Sequence, residues 1–522
     1  MSDRMPHPPQ RSDDQTTAIA PEGAVAGQST GRDAWRPRPL DVGLVVLGAL
    51  TAAVYGLFFL RVYPLLGHVG SAAEQIPALA PGKGAALGLA VGWVLLFVFY
   101  VAAYRLCRRG GGPRTAAVIV GGSIVFGLLL LFTYPFSSTD LFDYVARSHF
   151  VVDVGGNPFV TPPGAVADFP YMRYVTSVGT ASPYGPLWQN PADLIARLVG
   201  SGLVRNLVAL KLLVLACFWC GAPLIYRSLR RWRPEHALPG TLLYAWNPAA
   251  LIEFGANGHN DAMQVLCLVL AASFLVARQP AAGTLAVVAA ALVKFSPLLL
   301  LPLFFIAMWK LPVDGRRRLQ QWAGFIAGAM ALTVLLYLPF GLGTIRTNLA
   351  LVASHGDLRA NSLIWALADP LATVTGWSAD RAAQRLSLAA YGIVVAVLLY
   401  HCVRLVRSRA REDLGAEVLR RSFLVLLTLV ALALSWFWPW YVLWLLALAP
   451  FVRRVGAPMI IAFTAGAFAV NWTTAYYGLF LSGGFPYVMM SVVFGPLFFT
   501  AVALAAMRLR AGGGGLAAVT RH

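Results

Sequence analysis

Charged side chains are scarce in this sequence. Asp, Glu, Lys and Arg together make up 12% of its 522 residues, whereas a soluble domain carries about 25%. Hydrophobic residues account for 58%, and apolar stretches of about twenty residues recur between Val42 and Met507, each long enough to cross a bilayer core. A single soluble globule is excluded, because it would leave these stretches in water. The sequence instead predicts an all-α integral membrane protein.

Several signatures of other protein classes are missing. The five cysteines all lie in or beside apolar stretches, which predicts small buried hydrophobes rather than disulfides. No Gly-x-x-x-x-Gly-Lys-Ser/Thr loop occurs, so an ATP-driven pump is not expected. His-Glu-x-x-His and spaced Cys/His clusters are also missing. We therefore expect no metal site and no cofactor.

Acidic residues are about half as frequent as basic ones, 22 against 41, which gives a formal net charge of +19. In a soluble protein this balance would suggest nucleic acid. Here the basic residues lie mostly in short connections between apolar stretches, which is the positive-inside pattern, and no nucleic-acid-binding motif occurs. The expected partner is therefore the lipid bilayer, with no nucleic acid.

The basic clusters predict the topology. They are Arg105–Arg114, Arg227–Arg233, Lys310 with Arg316–Arg318, Arg404–Arg421, Arg453–Arg454 and Arg508–Arg510. Placing all of them in the cytoplasm gives one consistent path with both termini inside, about 12 to 14 transmembrane segments and a plasma-membrane location. Residues 1–39 are polar and predict a disordered cytoplasmic tail rather than a signal peptide. Residues 40–510 form one polytopic domain, and 511–522 a second cytoplasmic tail.

Two apolar regions predict pairs of short helices rather than single spans. Residues 281–309 are interrupted by Lys294, Ser296 and Pro297, and residues 422–452 by the aromatic run 436–440. Broken helices persist in a bilayer only where protein or a water-filled cavity satisfies the freed backbone groups. Both breaks therefore indicate a functional site.

The same path leaves outer connections at 135–206, 343–386 and 476–486. Most acids beyond the first tail fall in these connections or in the short turn 255–261. Asp and Glu contribute little to orientation. An outer-facing reaction that uses carboxylates would explain the enrichment, and so would ordinary solvation of loops.

The first outer loop contains the densest group of reactive side chains. Ser138 or Thr139 could cap a helix that begins there, and Asp140, Asp143 and Tyr144 would then share one face. Carboxylates at the edge of the hydrocarbon are costly unless they are solvated or used. The alternative for Asp140 is a helix N-terminal charge that the dipole favours.

Turn-rich motifs with aromatic residues follow in the same loop. They are Gly155-Gly-Asn157-Pro158-Phe159 and Pro183-Tyr184-Gly185-Pro186-Leu-Trp188. Tyr184 and Trp188 are suited to stacking on a sugar, although residues of an interfacial aromatic belt would have the same composition.

Polar residues at other outer turns could bind a substrate. His259, Asn260 and Asp261 form a polar tip after Glu253 that suits hydroxyl or phosphate binding, or a simple polar turn. Lys294 could bind a phosphate, snorkel to the surface or pair with Glu253 or Asp261. Arg359 could hold a phosphate in a bidentate manner, although a solvated loop is the simpler interpretation.

These motifs, in this order, resemble the C-type (GT-C) glycosyltransferases. The chain has Asp140-x-x-x-Tyr144, the Gly-x-Asn-Pro-Phe and Pro-Tyr-Gly-Pro-Leu-Trp segments, Trp246-Asn247-Pro248, Gly258-His259-Asn260-Asp261 and Lys294-x-x-Pro297. The similarity is greatest to actinobacterial polyprenol-phosphate-mannose-dependent α-mannosyltransferases of the α(1→6) type. It covers about residues 130–310 by motif and the whole chain by number of helices.

The resemblance implies an inverting transfer of a sugar, mannose in the nearest relatives, from a polyprenyl-phosphate donor to a lipid-linked or envelope glycan on the outer face. It implies Asp140 as the general base, with Asp143, a second acid that departs from the family pattern, in reserve. The other implied donor- and acceptor-binding residues are Tyr144, Asn157, Tyr184, Trp188, Glu253, His259, Asn260, Asp261, Lys294 and Arg359.

Broken helices and intramembrane charges also occur in secondary transporters. Transporters usually have an internal repeat and short loops, whereas this sequence has no detectable repeat and a long 135–206 loop. A lipid flippase or a non-catalytic assembly subunit would need no carboxylate cluster. We therefore expect an enzyme, with a transporter or flippase as the alternative.

Overall fold

The computed structural model describes residues 39–69, 79–166, 169–175, 178–354, 359–408 and 413–519. Within these residues the chain is helical, and its β-pairing consists of two isolated bridges, Pro64 with Thr133 and Ala360 with Trp436. In chain order the helices are Pro39–Val54 (α1), Leu65–His68 (α2), Lys83–Cys107 (α3), Pro113–Leu131 (α4), Asp140–Val154 (α5), Pro186–Val199 (α6), Leu203–Trp232 (α7), Pro234–Ala245 (α8), Pro248–Leu251 (α9), Asp261–Val276 (α10), Pro280–Ala291 (α11), Leu301–Lys310 (α12), Gly315–Tyr337 (α13), Thr344–Ser354 (α14), Leu363–Thr375 (α15), Ala379–Arg407 (α16), Leu414–Thr428 (α17), Pro439–Leu446 (α18), Gly456–Tyr476 (α19) and Phe485–Val519 (α20).

Seven helices of this described part are long and apolar enough to cross a membrane. They are α1 with the π-helical turn after it, α3, α4, α7, α13 with its following turn, α16, and residues Phe485–Met507 of α20. Shorter apolar helices of 10–17 residues include α10, α11 and α15. The prediction of an all-α, multi-pass membrane protein is therefore confirmed.

The apolar segment 238–254 is interrupted in the structure. Helix α8 ends at Ala245, and Asn247 adopts an extended backbone before Pro248 begins α9. Proline disfavours the helical conformation at the residue before it, and the Asn247 side chain caps α9 by accepting from the Ala250 amide. The chain then turns through a π-helical segment, Ile252–Ala256, toward His259.

The first predicted helix break is present between α11 and α12. Helix α11 ends at Ala291, and a 3₁₀ turn over Ser296–Leu300 leads into α12. The carbonyls freed at the break accept hydrogen bonds from the Pro-Tyr-Gly-Pro-Leu-Trp motif: the Leu187 amide donates to Leu292 at 3.0 Å, and the Gly185 amide to Val293 at 2.8 Å. The backbone of a loop distant in sequence thus satisfies this break.

The second break, between α17 and α18, is satisfied in the same way by another loop. The Ala360 amide donates to Ser435 at 3.0 Å, and the Phe437 amide donates to Ala360 at 2.9 Å. The Ser362 hydroxyl also donates to the Ser435 carbonyl, at 2.7 Å. Each loop therefore lies beside the helix break whose backbone groups it satisfies.

Candidate active site

The loop that leads to Asp140 begins at the C-terminal end of α4. A buried lysine on α7, Lys211, donates to the carbonyls of Leu130, Leu131 and Thr133 at 3.2, 3.0 and 2.5 Å. A cation at the carbonyl end of a helix is electrostatically favourable. Sequence reasoning missed Lys211, although a lysine inside an apolar stretch is itself a signal.

Asp140 begins α5, as the sequence predicts, and the Ser138 hydroxyl accepts from its amide at 3.2 Å. Its carboxylate accepts a hydrogen bond from the Tyr184 hydroxyl at 2.9 Å and a longer one from Tyr144 at 3.5 Å. The Nδ1 atom of His259 lies 3.6 Å from the same oxygen. The Asp140 side chain is 26% exposed, so this carboxylate can meet a ligand.

His259 is fully buried between two carboxylates. Its Nε2 atom lies 3.2 Å from Glu253, on the side opposite Asp140. Its ring stacks on Trp440 with centroids 4.0 Å apart, an arrangement that favours a cationic imidazole. Burial lowers the pKa of His259, but contact with Asp140 and Glu253 outweighs burial and raises it to about 9. The imidazole is therefore a cation at neutral pH.

The pKa of Asp140 moves in the opposite direction. Burial raises it, but contact with His259 and the charge of Lys294, together with the Tyr184 hydrogen bond, outweigh burial and lower the pKa to about 2. Burial and the Asp140 charge raise the pKa of Tyr184. Tyr184 therefore remains a neutral hydrogen-bond donor beside an ionised carboxylate.

Glu253 holds the site together rather than facing its opening. It is fully buried and accepts from Asn257 Nδ2 at 2.8 Å. Asn257 also donates to the Ser137 hydroxyl at 2.7 Å and accepts from the Ser137 amide at 3.3 Å. This network joins the loop before Asp140 to the turn that carries His259. Neither Ser137 nor Asn257 was predicted from the sequence as a member of the site.

Lys294 lies beside the same group of residues. It forms a 2.6 Å ion pair with Asp261 and is 13% exposed, whereas Asp261 is fully buried. Asp261 also accepts from the Trp444 indole at 2.7 Å. The Lys294 ammonium is 5.3 Å from the centre of the Tyr184 ring and 5.7 Å from that of Tyr441. Of the pairings that the sequence left open, the structure has the one with Asp261.

Asp143 differs from Asp140 in its surroundings, although it is only one turn further along α5. It pairs with Arg147 at 2.5 Å, with side-chain exposures of 11% and 2%. Arg147 also donates to the Thr180 carbonyl at 3.1 Å. The i, i+4 spacing of this pair was visible in the sequence. Asp143 is thus neutralised within the protein.

Asn260 contributes a buried amide to the same region. Its side chain is fully buried, and neither its oxygen nor its nitrogen has a hydrogen-bond partner among the described residues. Leaving a buried polar group unpaired costs about 1–3 kcal/mol. This amide is therefore suited to a ligand hydroxyl.

Three predicted site residues have other surroundings. Asn157 donates to the Phe340 carbonyl at 2.8 Å and the Thr344 hydroxyl at 3.0 Å, which joins two segments distant in sequence. Trp188 is buried and contacts the Tyr144 ring at 4.9 Å. Arg359 pairs with Asp380 at 2.9 Å. His355 and Asp357, from the same polar segment as Arg359, lie outside the described residues.

Arg359 is nevertheless joined to the site through the second helix break. Its neighbour Ala360 pairs with Trp436, whose ring contacts Trp438 at 5.7 Å. Trp438 stacks on Trp440 at 5.3 Å, and Trp440 stacks on His259. The aromatic run is therefore a packed row that ends on the imidazole.

Within the described residues, no group of three or more His, Cys, Asp or Glu side chains could hold a metal ion. The site instead combines an accessible carboxylate, two nearby cations, neutral phenols and a free amide. Such a set can accept a proton, stabilise a developing anion and bind hydroxyl groups.

Comparison with known proteins assigns the family. The family described as alpha-(1->6)-mannopyranosyltransferase, N-terminal domain, matches residues 42–310, just over half of the chain. No curated protein matches. Among solved structures, the apo crystal structure of the Archaeoglobus fulgidus oligosaccharyltransferase is similar, with 12% identity and a TM-score of 0.37 over 74% of this chain. The chain spans 56% of the length of that structure. The chain belongs to the α-(1→6)-mannopyranosyltransferase family.

Proposed function

We propose that this protein transfers mannose from a polyprenyl-phosphate donor to a lipid-linked or envelope glycan acceptor on the outer face of the plasma membrane. The acceptor hydroxyl attacks the anomeric carbon, the bond from that carbon to the phosphate oxygen breaks, and the phosphate leaves with the electron pair. The hydroxyl proton passes to a carboxylate, which we assign as Asp140. Direct displacement inverts the anomeric configuration.

The observation that carries this proposal is the exposure of Asp140. Among the four acids grouped here it is the most accessible, at 26%, while Asp143 is paired with Arg147 and both Glu253 and Asp261 are fully buried. A general base must reach the proton that it accepts. With a pKa of about 2, Asp140 is a weak base before reaction. It accepts the proton late, once bond formation has made the acceptor oxygen strongly acidic.

The leaving group accounts for the cations. A mannosyl phosphodiester carries one negative charge, and the departing phosphate monoester gains another. Lys294 is the partly exposed cation of the site, and its present partner, Asp261, keeps a second hydrogen bond from Trp444. The ammonium can therefore turn to the phosphate without leaving Asp261 unpartnered. Stabilisation of the developing charge in this way lowers the barrier.

The charge distribution along the bundle supports an outward-facing site. Helix α4 has 19 residues, or roughly 28 Å at 1.5 Å per residue, and Asp140 follows its C-terminal end. The turn before the N-terminal end of α4 packs on α8, because a Cβ on Gly111 would meet the Leu238 side chain. Arginines collect at this second end, where Arg105, Arg233 and Arg453 line one cavity. The positive-inside rule assigns that end to the cytoplasm.

The catalytic test uses purified protein in proteoliposomes with polyprenyl-phosphate [¹⁴C]mannose and a glycolipid acceptor fraction. Asp140→Asn should lower the transfer rate by about 10²–10⁴-fold, the usual contribution of a general base. Asp153→Asn is the matched control, because Asp153 lies on the same helix, is 49% exposed and contacts His149. It should stay within about twofold of wild type. Retained transfer by Asp140→Asn at equal protein level would refute the assignment.

Orientation is tested separately in intact cells. A cysteine is introduced at Gly179, an exposed position in the first outer loop, and another at Arg109 beyond α3. A membrane-impermeant maleimide should label position 179 before lysis and position 109 only after it. The reverse pattern would contradict an outward-facing site.

A further inference from the structure

A cavity lies at the arginine-rich end of the bundle, away from Asp140. Its volume is about 880 Å³, within the range of small-molecule sites. It is bounded by the C-terminal end of α3, the start of α8, the segment between α18 and α19, and residues 500–507 of α20. No residue of the Asp140 site lines it, so it needs a separate explanation.

The charge around this cavity is almost entirely positive. Five arginines line it: Arg105, Arg108, Arg233, Arg453 and Arg454. Arg233 is already paired with Asp413 at 2.8 Å and lies over the Trp232 ring. The other four arginines form no ion pair among the described residues. Glu235, the one carboxylate of the lining, lies 3.7 Å from the His236 imidazole.

The His236 imidazole lies within the same concentration of positive charge. Burial lowers the pKa of His236, and the positive charges of Arg453, Arg233 and Arg108 lower it further, against the opposing effect of Glu235. The backbone of Arg454 has φ +60°, a left-handed conformation that residues other than glycine rarely adopt. The turn thus places Arg454 in a backbone conformation that arginine does not favour.

The walls of the cavity are largely apolar. Most of the lining side chains are hydrophobic, including Leu243, Ile461 and Leu504. Met507, at the edge on α20, is 57% exposed. A small hydrated anion would satisfy the arginines but leave these walls uncovered. A ligand with an anionic head and hydrocarbon chains satisfies both.

We propose that this cavity binds an anionic phospholipid, with its phosphate on the four unpaired arginines and its acyl chains along the apolar wall toward α20. Basic pockets between transmembrane helices on the cytoplasmic side have this specificity, and arginine binds phosphate in bidentate geometry. The positive-inside rule accounts for arginines in this leaflet. It does not account for their arrangement around a cavity with apolar walls.

The test is native mass spectrometry of the purified full chain, with phosphatidylglycerol and phosphatidylcholine of identical acyl chains as probes. Wild type should retain phosphatidylglycerol in preference to phosphatidylcholine. The double variant Arg453→Gln/Arg454→Gln should lose about tenfold in phosphatidylglycerol retention. Arg316→Gln/Arg317→Gln is the matched control, because it removes two exposed arginines at the start of α13 that do not line the cavity, and it should bind as wild type does.

A second variant tests the proposal in case the double arginine variant does not fold. Ala457→Trp leaves all the arginines in place but fills the cavity from its apolar wall, and it should also reduce phosphatidylglycerol retention. Inorganic phosphate at millimolar concentration should not displace the lipid. Equal retention by wild type and Ala457→Trp, equal retention of the two lipids, or displacement by phosphate would each overturn the proposal; displacement would assign the cavity to a soluble phosphate compound.

Discussion

Gly185 lies against the backbone of Leu292, so close that a Cβ on Gly185 would come within 2.0 Å of the Leu292 carbonyl oxygen. The Pro-Tyr-Gly-Pro-Leu-Trp motif therefore needs glycine at this position for close approach. The contact places Tyr184, the residue before it, between Asp140 and Lys294, at 2.9 Å from the first and with its ring 5.3 Å from the second. The motif thus joins Asp140, the proposed base, to Lys294, the proposed phosphate-binding residue.

Gly185→Ala should impair transfer without replacing any side chain of the site. The added methyl must push the loop away from the helix break, because the atoms it meets are backbone. We expect a loss of at least about tenfold in transfer rate and a lower melting temperature. Gly179→Ala is the control, because a Cβ there meets nothing within 4 Å. Equal behaviour of the two variants would show that the close approach is unimportant.

Much of the fold could be predicted from hydropathy. Long apolar stretches and basic connections predict the spanning helices, and Pro297 and the 436–440 run predict the two breaks. The interruption at Asn247 was missed because both sides of it are equally apolar, so only the Asn-Pro pair signals it. The loops that satisfy the breaks are distant in sequence, and periodicity carries no information about such pairing.

The site was predictable in part. Asp140, Tyr184, His259 and Lys294 were identified by motif, and the family match confirms the resemblance on which their roles depend. Lys211 was not predicted, because the carbonyl groups that it binds belong to another helix. Trp440 could not be assigned to His259, since an aromatic belt has the same composition. The exposure that distinguishes Asp140 from Asp143 depends on packing that no local pattern contains.

Asp143→Ala should destabilise the protein far more than it slows the chemistry. It leaves Arg147, 2% exposed, without its counter-ion, and breaking a buried pair costs about 3–5 kcal/mol. Transfer per folded molecule should fall by less than about tenfold. The double variant Asp143→Leu/Arg147→Met should recover most of the thermal stability, as measured by unfolding in detergent. A loss of transfer as large as that of Asp140→Asn would instead make Asp143 the base.

Lys294→Met should weaken both donor binding and stability, because Asp261 is fully buried and keeps only the Trp444 hydrogen bond. The double variant Lys294→Met/Asp261→Leu removes both charges and should restore stability. It should not restore transfer, since the cation opposite the phosphate remains absent. Donor titrations at constant protein level measure the two effects. Recovery of transfer in the double variant would show that Lys294 acts only as a partner of Asp261.

The dependence of transfer on pH should be set by His259 on the alkaline side. Its pKa is raised from the usual 6.5 to about 9, so its contribution to stability is fully present below pH 6.5 and is lost as pH rises through 9. Asp140, with its pKa lowered from 3.8 to about 2, contributes above pH 3.8 and loses that contribution as pH falls toward 2. Transfer should therefore be level between about pH 4 and 8 and fall about tenfold per unit above 9.

Initial rates from pH 5 to 10.5 test this expectation in wild type and His259→Gln. The mannosyl phosphodiester does not titrate in this range, so a wild-type inflection near 9 belongs to the protein. His259→Gln should have a lower rate throughout and no inflection there, because the neutral amide carries no imidazolium charge that deprotonation could remove from the neighbourhood of the developing phosphate anion. If the inflection persists in His259→Gln, it arises from another group, and His259 has only a structural role between Asp140 and Glu253.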